Sequence, residues 1–262
     1  MTTILAEFDE IIEILEAAIP ANPETPKGRS LAKKLEGILA DYFRKLERAF
    51  PYSRVEQIYN KYVQEQLGAE TRDFLDPMLA IFDEDIKVAV NGWLAAAYVH
   101  GQVEMITWGK TKGGIPIAYE GPPITKAVDW AEQHGAQLVT QMDQETKRRL
   151  AQTVSDGIKN KRGVPGLARD IRKDFSNMTR YRSQLISKTE TRAALFQASH
   201  DASIDMGITG KEWVLGSGGE TGNCDQCEEN AAVGVIPVDQ EFPNPEGSIH
   251  PGCTCAIAPA ML

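Results

Sequence analysis

The sequence contains no apolar run approaching the roughly 20 residues that cross a bilayer, and its mean hydropathy of −0.31 agrees, so no membrane role is expected. It also lacks the basic start and apolar core of a secretory leader. Glu7, Asp9 and Glu10 stand where a leader would be apolar, which makes a reducing cytoplasm the expected site of synthesis. Missing too are the short motifs of common enzymes: a Gly-Lys-Ser/Thr phosphate loop, G-x-G-x-x-G after a strand, a G-x-S-x-G elbow and H-E-x-x-H. Gly216-Ser-Gly-Gly219 has neither a lysine nor a helix start behind it and reads as a turn. The chain is therefore not expected to be an enzyme, and no catalytic residue or small-molecule substrate is assigned.

Cysteine is scarce and unevenly placed. The 262 residues hold four, all in the last 39 positions, as Cys224-Asp-Gln-Cys227 and His250-Pro-Gly-Cys253-Thr-Cys255. Thiolates and an imidazole at such spacings are what a structural zinc ion selects, and a C-x-x-C turn presents two sulfurs to one tetrahedral centre. If Cys253 and Cys255 lie on a short strand, their side chains share a face and both turn toward that centre. Five candidate ligands then compete for four places: His250 with three cysteines, or all four cysteines. Two disulfides in any of three pairings, or unligated thiols, are the competing readings. His100, His134 and His200 have no cysteine beside them and read as packed or surface histidines.

The formal charge of −9 conceals an asymmetry. Lys147 to Arg192 carries 13 Lys/Arg against four acids, whereas from Asp201 onward there are ten acids and only Lys211. Lys147, Arg148, Arg149, Lys159, Lys161, Arg162, Arg169, Arg172, Lys173, Arg180 and Arg182 are the candidates for contact with duplex DNA. The competing reading is a set of solvated helix faces folded against the chain's own acids.

Apolar periodicity predicts a mainly α fold, a helical bundle with a small C-terminal α+β module resembling a zinc knuckle. Helices are expected at about 4–15 and 31–46, the latter stopped by Pro51 and preceded by a linker at 21–29. Two shorter ones should lie within 54–82 around an irregularity at Asp76-Pro77, followed by a core helix at 84–108. The Gly- and Pro-rich stretch 110–123 is the strongest break. Beyond it come helices at 124–141, 143–161 with Asp143 as N-cap, 165–176 with Pro165 in its first turn, and 179–206 ended by Gly207. Short strands are expected at 212–215 and near 234–238. This divides the chain into an N-terminal helical domain (1–120), a basic helical domain (121–207) and a Cys/His-rich module (208–262). Glu190 and Trp213 read as structural residues.

In order along the chain stand Ile171-Arg-Lys-Asp-Phe175, Tyr181-Arg-Ser-Gln-Leu-Ile-Ser-Lys-Thr-Glu-Thr191, Gly207-Ile-Thr-Gly-Lys-Glu-Trp213 and the two cysteine motifs. As an ordered set they resemble the phage Mu protein F-like family, the minor head or head morphogenesis proteins of tailed bacteriophages. The resemblance covers residues 125 to 256. It departs from the family pattern at Thr254 and Thr221, where arginine is usual, while Cys224, Cys227, His250, Cys253 and Cys255 all match. It implies a low-copy virion protein of the phage head near the portal, made in the host cytoplasm and acting in head assembly or DNA packaging or delivery. The implied partners are the portal protein, the major capsid protein and packaged duplex DNA. A zinc-module nucleic-acid-binding protein not tied to a capsid is the alternative.

Overall fold

A computed structural model describes residues 19–65, 75–115, 124–217, 222–245 and 249–262. Its elements are helices α1 (Pro26–Ala49), α2 (Tyr52–Glu65), α3 (Asp76–Thr111), α4 (Ile124–Lys159), α5 (Gly163–Asn177) and α6 (Ser183–Asp205), then strand β1 (Gly210–Val214), helix α7 (Asp225–Ala232), and strands β2 (Val235–Pro237) and β3 (Ala256–Ala260). The fold is mainly helical with a small three-stranded antiparallel sheet. The helix expected at about 4–15 lies outside the described residues.

Helix starts and stops follow local chemistry, with several departures from expectation. Part of the anticipated linker at 21–29 is the start of α1: the Thr25 hydroxyl accepts the Gly28 N–H at 3.1 Å as an N-cap, and Pro26 fills the first turn, where its missing N–H costs nothing. The buried stripe Leu31, Leu35, Leu39, Tyr42, Phe43, Leu46 repeats every three to four residues, the period that keeps one helix face against a core. Asp76-Pro77 opens α3 rather than interrupting a run, again with proline in the first turn.

Asp143 does not cap a helix. No glycine or proline lies between Gly135 and Gly157, so α4 runs through it, and the Asp143 carboxylate accepts the Tyr42 hydroxyl at 2.8 Å. The expected gap between 176 and 179 is likewise closed. Residues Met178–Arg182 form a π turn, with the Ser183 N–H reaching back to the Met178 carbonyl, and the chain passes from α5 into α6 without leaving the helical path. Gly207 ends that path at φ +72, a left-handed value that a Cβ would disfavour.

Contacts group the chain into two units, each built from separated segments. One joins described residues 19–34, 93–115, 124–130 and those from 185 onward; the other joins 35–92 with 131–184. The boundary expected near 207 lies within the first unit, and the one expected near 120 lies outside the described residues. In that unit α3 and α6 approach closely at Gly101, where a Cβ would come within 2.7 Å of the Ala198 Cβ. The pair is pinned by Gln102 Nε2 donating to the Ala198 carbonyl at 2.9 Å and by the Tyr98 hydroxyl donating to Asp201. In the second unit Phe50 meets Phe175 edge-on at 5.7 Å, and Leu167, Ile171 and Phe175 form the buried face of α5.

The sheet order is β2-β1-β3, with Trp213 opposite Ile257 and Val214 opposite Ala256. Trp213 anchors a core of Phe196, Ile236, Phe242, Ile249, Ile257 and the buried cysteines, meeting Phe196 and Phe242 edge-on.

Candidate metal centre

The C-x-x-C segment forms the start of a helix that the sequence pattern did not reveal. Cys224 has extended backbone angles (φ −81, ψ 156) and occupies the N-cap of α7. Its carbonyl accepts the Cys227 N–H at 2.9 Å, so one turn brings both sulfurs to the same end. Reciprocal bonds between Asn230 and Asn244, 2.8 Å from Nδ2 to the carbonyl and 2.9 Å from N–H to Oδ1, tie α7 to the loop beyond β2.

Cys253 and Cys255 do not meet the condition of lying on a short strand; they occupy the segment that leads into β3. Two local contacts hold that turn out of the ladder. The Cys255 N–H points to the Cys253 sulfur at 3.4 Å, and the Thr254 carbonyl lies where a Cβ on Gly216 would be. Gly216 is thereby the one residue type that fits, and its N–H donates to the Cys255 sulfur at 3.5 Å. The turn is tethered to α6 by the Gly252 N–H, which donates to the Thr189 hydroxyl at 3.1 Å.

Together these elements assemble all five expected ligands as two triads that share Cys227: Cys224, Cys227 and His250, and Cys227, Cys253 and Cys255. Within each triad the donor atoms lie within 4.8 Å of one another. The Cys227 and Cys253 sulfurs are 3.5 Å apart, close to the edge of about 3.8 Å that two thiolates subtend on a tetrahedral zinc with bonds of about 2.3 Å. The triad of Cys227, Cys253 and Cys255 is buried, whereas His250 is exposed. The imidazole Nδ1 lies 3.1 Å from the Pro251 carbonyl, which only accepts; the tautomer that donates from Nδ1 in this contact leaves Nε2 for a metal. The cluster can hold a metal ion.

Electrostatics at the sulfurs are uneven. Burial, together with the neighbouring Cys224 thiol, raises Cys227 to about 12. The Cys253 thiol hydrogen-bonds to Cys255, and with the Gly216 N–H it holds Cys255 down at about 5, while Cys253 itself is pushed up. One thiolate is thus stabilised by its neighbours, and a positive charge at the cluster would favour ionising Cys227 and Cys253.

The remaining expected site residues fall into distinct settings. Lys147 pairs with Asp76 at 2.6 Å, Arg148 and Arg149 both bond Glu145 at 2.7 Å, and Arg162 pairs with Asp170 at 2.8 Å. Arg172 stacks over the Tyr52 ring at 4.6 Å. Arg182 turns inward to the Thr146 hydroxyl at 2.8 Å and the Met142 carbonyl at 3.0 Å, and burial lowers its pKa to about 10. Lys159, Lys161, Arg169, Lys173 and Arg180 are exposed and make no ion pair among the described residues. Trp213 is buried and Glu190 half-buried. No protein-family model matches this chain, nor does any curated protein or solved structure.

Proposed function

We propose that the chain is a minor head protein of a tailed bacteriophage, associated with the portal vertex and acting in head assembly or in DNA packaging or delivery, without catalytic activity. The observation that carries this reading is the convergence of Cys224, Cys227, His250, Cys253 and Cys255, the family-like motif residues, onto one cluster although up to 31 positions separate them. We further propose zinc as the ion, because three or four thiolates with or without an imidazole favour a soft tetrahedral cation over harder ones. When bound, it would cross-link α7 to the turn before β3 and fold the C-terminal segment into a rigid docking piece.

The portal and major capsid proteins are the proposed partners, with packaged duplex DNA contacted by Lys159, Lys161, Arg169, Lys173 and Arg180, exposed cations that make no ion pair among the described residues. Phosphate neutralisation by a few such charges releases counterions and gives weak, salt-sensitive affinity. Cross-linking in purified procapsids tests the reading directly: cross-links to the portal ring are expected. An isolated monomer that binds particular DNA sequences and never co-purifies with capsid components would instead favour the nucleic-acid-binding alternative.

A further inference from the structure

Arg192 is a strongly basic side chain placed in the core of the C-terminal unit with no acid paired to it among the described residues. It projects from α6 one turn beyond Thr189, the residue whose hydroxyl holds the cysteine turn, and it is only 6 % exposed. Its guanidinium stacks 4.3 Å over the Phe196 ring and 5.2 Å over Trp213. Nε reaches the Cys255 carbonyl at 3.4 Å, while Nη2 is buried with no hydrogen-bond partner. Among the described residues no carboxylate forms an ion pair with it.

A guanidinium cannot shed its proton, so burying it without a counter-ion is costly, and stacking on two rings offsets only part of that cost. The anionic chemistry that shares this core is that of the sulfurs, because Cys227, Cys253 and Cys255 pack in the same cluster as Phe196 and Trp213, the two rings under the guanidinium. A divalent cation bound by three thiolates and an imidazole carries a net charge of about −1, and one bound by four thiolates about −2, from ligand charges alone. Either centre, like the Cys255 thiolate already held in the cluster, is an anion sharing a core with Arg192, and the cation would oppose the like-charge repulsion among the several thiolates that one bound ion gathers.

We propose that Arg192 is the built-in counter-cation of the C-terminal thiolate cluster, a positioning residue that makes the site selective for a soft divalent ion taken up by at least three thiolates. This rests on the metal-centre reading given above. The pair links α6 to the module: the buried Arg192 charge offsets the repulsion among the thiolates that a bound ion gathers, and so strengthens loading.

The test compares zinc and cadmium affinity of the full chain and its R192M and R192K variants, by competition with a chromophoric chelator, with far-UV circular dichroism confirming that the helices are intact. R192M keeps the apolar stem and removes the charge, and it is expected to bind both ions about tenfold or more weakly, the loss usual for a group supporting a metal site. Its release of cadmium on acidification should begin at higher pH, a change that a purely packing role would not produce. R192K restores a cation and is expected to recover most of the affinity. If R192M loses helicity, R192Q replaces it under the same criteria. Equal affinity in R192M and the parent chain would overturn the proposal, as would a folded R192K as weak as R192M. A parent chain that takes up neither zinc nor cadmium would overturn this proposal and the metal centre together.

Discussion

Asp143 shows how a single buried carboxylate sets a pH dependence. Burial raises its pKa from 3.8 to about 6, and Asp83 beside it adds to the rise, against the opposing hydrogen bond from Tyr42 and the charge of Lys147; Arg182 also lies near. The folded chain prefers the protonated acid more than the unfolded chain does. The stability this group contributes is therefore complete below about pH 4 and is lost as the pH rises through about 6, opposite in sign to an ion-paired acid. D143N, which keeps an oxygen for the Tyr42 hydroxyl, is expected to raise stability at pH 7 by on the order of 1–3 kcal/mol and to flatten the profile between about pH 4 and 6. Thermal melts across that range check it, and parallel profiles for the two proteins would refute it. At Gly216 the obstacle is steric: a methyl group would strike the Thr254 carbonyl. G216A is expected to destabilise the C-terminal module by about 1–3 kcal/mol, visible as earlier loss of near-UV signal from Trp213 on heating.

At the scale of the elements, the basic segment separates into two classes that sequence alone merges. Arg182 lies in the π turn and faces inward, so R182A is expected to cost about 2–4 kcal/mol of stability by stranding the groups it bonds, with little change in DNA retention at matched folding. Changing Lys159, Lys161, Arg169, Lys173 and Arg180 together to glutamine is expected to leave the melting temperature nearly unchanged while weakening duplex DNA retention. It should also reduce the dependence of log K on log salt by roughly 0.9 for each phosphate that is no longer neutralised. Retention by the parent chain that is the same from low to moderate salt would remove the DNA reading.

The elements themselves were legible to different degrees. The apolar stripe from Leu31 to Leu46 and the stop at Gly207 are written in local periodicity and backbone freedom. The continuity of α4 through Asp143 is not, because a carboxylate that favours a helix start can equally be held by a tyrosine hydroxyl 101 positions away. The π turn at Met178–Arg182 was hidden for a similar reason, since one extra residue in a helix leaves no glycine or proline to mark it. Helix α7 was missed because its apolar content is slight, two alanines and Cys227, and what seats it is the asparagine pair, whose second member lies 14 positions on.

On the scale of the whole molecule, the five ligand candidates were readable from spacing, but the path that joins them was not. Cys253 and Cys255 face one cluster without a strand to align them, because a turn packed on Gly216 and held by Thr189 has the same effect. Arg192 gave no signal at all; a basic residue in a basic helical segment reads as solvent-facing until the fold encloses it. Both features belong to contacts remote in sequence, which composition and periodicity do not encode. In this reading the C-terminal module depends on a shared ion, with metal affinity forming part of its folding energy.

Native mass spectrometry of the full chain, paired with hydrogen exchange before and after chelation, tests that dependence most directly. The expected result is one divalent ion per chain, whose removal, or the substitution C227S, abolishes protection across residues 208–262 while the helices at 76–111 and 124–159 stay protected. A metal-free chain with a protected C-terminal segment, or a mass reporting two cystines, would contradict it.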